Sequence, residues 1–383
     1  MQHKIKTIIN CIVIIGIMTL CLCACAARSS SVVKNEKKNV VSETMGIEYA
    51  HGFSMERIEE DYFYIKTREQ EIWIVPEGKD IPDWLPKDKD AVIVRQPLEN
   101  IYVAATSIPD MIDCLGKLDK VSYTSTTYED WALDSMKTAL EELSVEYIGK
   151  YRAPDYEVLM ANGCDLAVES TMIYHSPEVA EKLTSLGIPV VVDASSYESD
   201  PLGRLEWIKV YGALLGCYDE AKDFFDNKAA SVEYLYTQEE NREDKKTVAF
   251  FYLNSNGSVV VRKPGDYITK MISLAGGEYV IHSIPEQENA LSTMNMQMEV
   301  FYAEAIQADI LIYNSTVDGE IHSISELLEK CELLGDFKAV KEGQVWCSGK
   351  NMFQESAQVA EMIEDLHGVL CGEEELTYFH RLK

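Results

Sequence analysis

Between Pro201 and Asp244 the chain runs as one long helical stretch, "PLGRLEWIKVYGALLGCYDEAKDFFDNKAASVEYLYTQEENRED", softened at Gly216 and holding no strand-like run. On both sides of it, short apolar runs alternate with helices of roughly 10–15 residues, the pattern of parallel βα units. The two features together restrict the fold to two α/β lobes joined by a single long backbone helix, a spine rather than a hinge of crossing strands. A length of 383 residues agrees, being too great for one small core.

Ahead of the first βα unit lies a β-rich extension. From Phe53, "FSMERIEEDYFYIKTREQEIWIVP" alternates polar and apolar residues as paired strands do. "ENIYVAATSIPDMIDCLG" then reads as a strand, a Thr106-Ser107 turn and a helix capped by Ser107, opened by Pro109 and closed at Gly116. The boundaries expected are a signal peptide at 1–24, a flexible tether at 25–45 and an N-terminal lobe with its extension at 46–217. The backbone helix follows at 218–243 and the C-terminal lobe at 244–383.

Lys4 and Lys6 precede the apolar run "IINCIVIIGIMTLCL", as in a bacterial export signal. Its end, "LCAC", fits a lipobox with Leu22, Ala24 and the lipidated Cys25, so a lipid-anchored position on the outer face of the cell membrane is expected. Of ten cysteines, Cys11, Cys21 and Cys23 would leave with the signal. The remaining six (Cys114, Cys164, Cys217, Cys331, Cys347, Cys371) have no zinc-type spacing and read as small buried hydrophobes, with room for one unassigned disulfide.

The formal net charge of −29 argues against nucleic-acid binding, which requires a basic footprint. The chain has no GxSxG, HExxH or P-loop motif, so it does not read as an enzyme, and a secreted hydrolase is the weakest alternative. A bare metal ion is another: Glu169 and His175 face only Asp266 in the second lobe's loops, a sparse ligand set.

One pattern occurs twice. "EVLMANGCDLAV" starts at Glu157 and "EVFYAEAIQADILI" at Glu299; each opens Glu-Val, carries Ala at the fifth place and ends in Asp before an apolar run. A glutamate in a helix's first turn complements the helix dipole, worth about 0.3–1 kcal/mol, so either alone is unremarkable.

The runs "TSIPDMIDCLGKLDKV", "IGKYRAPDYEVLMANGCDLAV", "LGIPVVVD", "SDPLGRLEWIKVYGALLG", "KPGDYITKMISLAGG", "MEVFYAEAIQADILIY", "FKAVKEGQVW" and "LTYFHRLK", in this order, resemble the iron-complex and cobalamin class of solute-binding lipoproteins of ABC importers. The resemblance implies a monomeric receptor that delivers a ferric siderophore, haem or corrinoid to a permease dimer with a cytoplasmic ATPase. It implies no resident cofactor or metal; any iron or cobalt belongs to the cargo. It also implies that Glu157 and Glu299, one per lobe, dock on the permease's arginines, a bidentate, charge-assisted pairing.

Between two such lobes a ligand meets loops at strand C-terminal ends. The loop residues expected to line the cleft are Thr106, Ser107, Tyr128, Trp131, Met172 and Tyr174 in the first lobe. Asn254, Lys263, Tyr267 and Phe353 are their counterparts in the second. The aromatics suit a large planar or macrocyclic ligand, and Met172, Tyr174 or His175 could reach a haem iron. No arginine triad stands out in these loops.

Overall fold

The computed structural model describes residues 30–35, 38–59, 61–85, 91–240, 242–284 and 293–383. The signal segment 1–24 and the lipidation candidate Cys25 lie outside the described residues. Three sheets organise the rest. The extension is a six-stranded sheet in sequence order, β1 (Ser30–Asn35), β2 (Lys38–Thr44), β3 (Phe53–Ile58), β4 (Tyr62–Thr67), β5 (Glu71–Val75) and β6 (Val92–Arg95). The stretch expected to be a flexible tether is therefore largely strand. β1 and β2 form a hairpin, and β2 continues onto β3, consistent with the β-branched valines at 32–33 and 40–41.

The first lobe carries β7 (Ile101–Val103), β8 (Val121–Thr124), β9 (Glu146–Tyr147), β10 (Leu166–Ser170) and β11 (Val190–Asp193), all parallel in the order β11-β10-β7-β8-β9. β7, β10 and β11 are buried along their lengths except at Ser170, as parallel strands covered on both faces must be. The edge of β11 is covered by the extension: the Gln70 amide accepts from Val192 N–H at 2.8 Å and donates to the Val190 carbonyl at 2.9 Å, standing in for a neighbouring strand.

The second lobe holds β12 (Thr247–Leu253), β13 (Val259–Arg262), β14 (Glu278–Tyr279), β15 (Thr293–Met296), β16 (Ile310–Tyr313), β17 (Val345–Ser348) and β18 (Phe379–Arg381). Its order is β15-β13-β12-β16-β17-β18, with β14 beside the start of β12. β12, β16 and β17 are parallel, while β13, β15 and β18 run antiparallel to their neighbours. The run "SVVVR" is thus the second arm of a hairpin, not a βα crossover. The Asn254 side-chain oxygen closes its turn by accepting N–H from Asn256 and Ser258 at 3.0 and 2.9 Å.

The long helical stretch is three helices, Pro201–Glu206, Ile208–Leu214 and Tyr218–Glu239. The last breaks from its predecessor at Gly216, whose φ of +72° suits glycine. This 22-residue helix is the spine. It buries Ala221, Phe225, Ala229 and Val232 in a core that also takes side chains from both lobes. All six cysteines named above are free thiols, so no bridge forms among them.

Two buried carboxylates fasten the extension to this frame. Glu206 has no exposed surface; it accepts N–H from Glu48, Tyr49 and Ala50 at 2.8–3.1 Å and pairs with the Lys209 ammonium at 2.7 Å. Glu198 accepts from His51 N–H, Gly52 N–H and the Trp207 indole at 2.7–3.0 Å. Gly203 admits the same segment, since a Cβ there would lie 2.8 Å from the Tyr49 carbonyl oxygen. Removing one partner of a buried pair leaves the other's charge uncompensated, at a cost of about 3–5 kcal/mol. Glu206→Ala is accordingly expected to lower the unfolding free energy by about that amount in urea denaturation; a loss below about 1 kcal/mol would show the clamp to be dispensable.

Candidate functional site

Between the lobes lies a cavity of about 630 Å³, within the range of small-molecule sites. The lobes close over it through side chains that cross from one to the other. The Gln354 amide accepts from Ala132 and Leu133 N–H at 2.7 and 3.3 Å and donates to the Asp130 carbonyl at 2.9 Å. The buried Asp110 carboxylate accepts from Ala357 N–H at 2.7 Å and from the Gln358 amide at 3.3 Å. Burial raises the Asp110 pKa to about 6, against the lowering effect of those two hydrogen bonds.

Three cations line the cavity: Lys150, Arg152 and Arg204. The first two sit on a turn that follows β9. Gly149 takes φ +100° there, and a Cβ would meet the Ala153 carbonyl oxygen at 2.7 Å. The turn is pinned by Ala153 N–H to Lys150 and Asp155 N–H to Ile148, both 2.7 Å. Arg204 comes from the helix Pro201–Glu206. Its guanidinium donates to the Glu198 and Ser196 carbonyls at 3.0 and 2.5 Å and lies 3.4 Å over the Tyr267 ring of the opposite lobe. Burial lowers its pKa, partly offset by Tyr267 and Asp266; a guanidinium stays charged regardless. Two of its five N–H groups are engaged in these bonds. A cation stacked on an aromatic face and held by two carbonyls is a preorganised anion receptor.

Two carboxylates, Asp130 and Asp193, share the lining with the three cations, a formal excess of one positive charge. Asp193 is buried and turned to protein donors, accepting from the Ser195 hydroxyl at 2.6 Å and the Tyr211 hydroxyl at 2.7 Å, and burial raises its pKa. Asp130 accepts from the Thr127 hydroxyl at 2.9 Å. Met172, Met352, Met362, Phe353 and Tyr267 supply the apolar wall.

Of the ten loop residues expected at the cleft, five line it: Thr106, Ser107, Met172, Tyr267 and Phe353. Ser107 stands at its helix's N-cap position without a side-chain cap bond. The other five lie elsewhere. Trp131 is 3 % exposed within the core. Tyr128 donates its hydroxyl to Glu141 at 2.6 Å on the lobe surface. Tyr174 lies on the 3₁₀ turn Thr171–His175, where residues two apart point about 240° apart, and it lines a separate cavity beside the extension instead. Asn254 serves the hairpin turn, and Lys263 lines a cavity near Met294 and Gln297. Arg262 lies behind Tyr267, 8 % exposed.

The sequence reading missed Lys150, Arg152 and Arg204. The first two were legible as a basic loop after a short strand; Arg204 sits inside a helix and carries no local signal. For a bare metal ion the cleft offers little: Glu169 is fully buried beneath it, and His175 is not among its lining residues.

The repeated pattern has a structural meaning in its second half. Asp165 accepts from Glu99 and Asn100 N–H at 2.9 Å, and Asp309 from Thr247 N–H at 2.8 Å, so each clamps the start of a neighbouring strand, β7 or β12. Glu157 and Glu299 both stand exposed in the first turn of their helices, Tyr156–Asn162 and Met298–Ala305. Neither carboxylate has an ion-pair partner among the described residues.

Two α/β lobes, one spine helix and an inter-lobe cavity define a bilobal binding protein. Residues 101–350 match the periplasmic binding protein family, and the chain belongs to that family. Two uncharacterized lipoproteins of Methanocaldococcus jannaschii are each 24% identical to it, over 327 and 320 residues. These matches span 81% and 78% of this chain and 74% and 77% of the relatives. Among solved structures, a periplasmic heme-binding protein of Vibrio cholerae superposes with a TM-score of 0.57 at 18% identity, over 70% of this chain and 99% of that one. A petrobactin-binding protein of Bacillus subtilis gives 0.57 at 17%, over 74% and 95%. At these identities the structural likeness concerns the fold.

Glu169 carries a consequence for stability. Both its oxygens are buried without a hydrogen-bond partner among the described residues, and burial raises its pKa from 4.5 to about 8. The unfolded chain gives up this proton first, so stability present below pH 4.5 is lost as pH rises toward 8. Glu169→Gln is expected to melt a few degrees above the wild type at pH 8 and level with it at pH 4. Parallel melting curves across that range would contradict the assignment.

Proposed function

We propose that this protein captures an anionic iron complex, a ferric siderophore or haem, outside the membrane and passes it to an ABC importer permease driven by a cytoplasmic ATPase. The observation that carries this reading is the trio Lys150, Arg152 and Arg204 converging with Tyr267 and Phe353 on one cavity between the lobes. Carboxylate- or catecholate-bearing chelates present charge and planar surface together, and guanidinium with aromatic faces matches both. The names of the Vibrio and Bacillus neighbours, a heme binder and a petrobactin binder, agree with that class. A corrinoid, which brings less negative charge to the trio, becomes the second choice. No catalytic step is assigned to the site.

In this reading Cys25 is lipidated and holds the chain, as a monomer, on the extracytoplasmic face of the cell membrane. Glu157 and Glu299 are the handles offered to the permease. Both are exposed and have no ion-pair partner among the described residues, which leaves the carboxylates available to arginine.

Tryptophan-quenching titration of the protein against haemin, ferric catecholate and hydroxamate siderophores, cyanocobalamin and zinc tests the ligand class. One saturable anionic chelate with sub-micromolar affinity is expected, weakened about tenfold or more by Arg152→Glu, a loss of about 1.4 kcal/mol. Binding of cyanocobalamin with silence from every anionic chelate would overturn the reading. Glu157→Ala combined with Glu299→Ala is expected to leave that affinity unchanged while abolishing uptake in cells; a fall in affinity would place the glutamates in the binding site or the fold instead.

A further inference from the structure

Outside the cleft lining, the C-terminal strand β18 brings His380 against the loop that follows β16. The Ile324 N–H donates to the Lys383 carbonyl at 3.1 Å, and Lys383 N–H to His322 at 3.2 Å. This short backbone ladder sets the His322 and His380 rings face to face, centroids 4.8 Å apart and 27° from parallel. Glu320 completes the group: one ligand atom from each of Glu320, His322 and His380 lies within 4.8 Å of the others.

We infer that these three side chains form a divalent transition-metal site, for which zinc is the best match. Two imidazoles and one carboxylate are a zinc-type donor set, with water completing four-coordination. The supporting shell is also present. His380 Nε2 lies 2.8 Å from the Ile321 carbonyl; as the N–H donor it leaves Nδ1 with the ring's lone pair, the arrangement that fixes a metal-binding tautomer. Glu320 Oε1 accepts the Lys350 N–H at 2.8 Å, which orients the carboxylate and leaves its other oxygen for the ion. The backbone N–H of His322 is held by the Glu326 carboxylate at 2.8 Å, which fixes the main chain at this ligand. Ligand bonds of about 2.0–2.2 Å require the three donors to draw together slightly, and His322, being exposed, has the freedom to do so.

The position gives the ion a structural role. Lys350 begins the 3₁₀ turn Lys350–Phe353, which presents Met352 and Phe353 to the cavity. A metal on Glu320 braces that turn and the C-terminal strand from behind. The site is separate from the cargo, since none of its three ligands lines the cleft.

The test is isothermal titration of tagless, full-length protein in detergent with Zn²⁺, repeated on His322→Ala and Glu320→Gln, with His367→Ala as a control. His367 lies 3.5 Å from the Cys371 thiol and is the rival for a thiophilic ion. Expected is one Zn²⁺ per chain, at least tenfold weaker in His322→Ala and in Glu320→Gln and unchanged in His367→Ala. Co²⁺ bound in its place should show no thiolate-to-cobalt charge-transfer band. The inference is overturned by absence of saturable binding, by binding that survives both ligand substitutions, or by a thiolate band that disappears with His367→Ala.

Discussion

The carboxylate of Glu206 accepts three consecutive backbone N–H groups, from Glu48, Tyr49 and Ala50, and the ammonium of a buried lysine, with no surface left to water. An isolated buried charge is costly, and only a full set of donors makes it tolerable. The segment that satisfies Glu206 therefore has essentially one place to lie, and the extension's sheet is carried into position with it. The same short helix, Pro201–Glu206, sends Arg204 to Tyr267 on the other lobe, while its N-cap Asp200 accepts from Leu202 and Gly203 N–H. Extension, first lobe, second lobe and cavity all meet at these six residues. A preorganised guanidinium in the cleft is thus a by-product of the element that assembles the fold.

The architecture was legible in the sequence because it rests on periodicity. Buried parallel strands such as Val190–Asp193 and Ile310–Tyr313 are continuous apolar runs, and a spine helix is a long stretch lacking such runs. Local chemistry that serves tertiary contacts was less legible. Trp131 and Tyr128 stand in a loop that reads as a ligand loop, yet one is core and the other is tied to Glu141. Asn254 and Lys263 follow strand ends, as cleft residues do, but belong to an antiparallel hairpin that points the loop elsewhere. Strand direction was the missing fact. Arg204 was hidden for the opposite reason: a helix interior gives no hint that one of its side chains crosses to another lobe. The β1–β2 hairpin was overlooked because polar, lysine-rich composition outweighed its four valines.

The repeated Glu-Val pattern separates into two jobs that composition alone could not distinguish. The closing aspartates, Asp165 and Asp309, clamp the start of the neighbouring strand in each lobe. The leading glutamates have no ion-pair partner among the described residues and are exposed. On the proposed reading, handles on two lobes need the lobes held at a set distance, and the spine helix, Gln354 and Asp110 tie the lobes together. The stiffness that spaces the handles also keeps the cavity formed, so little ordering entropy opposes the entry of a ligand.

The measurement that addresses this account most directly is hydrogen–deuterium exchange with and without the chelate that saturates the protein. If the cavity between the lobes is the binding site, protection should rise together in the Lys150–Arg152 turn, in the helix Pro201–Glu206 and in the Lys350–Phe353 turn, drawn from both lobes. Protection confined to the extension near Tyr174 and Tyr197, where a second cavity lies, would contradict it.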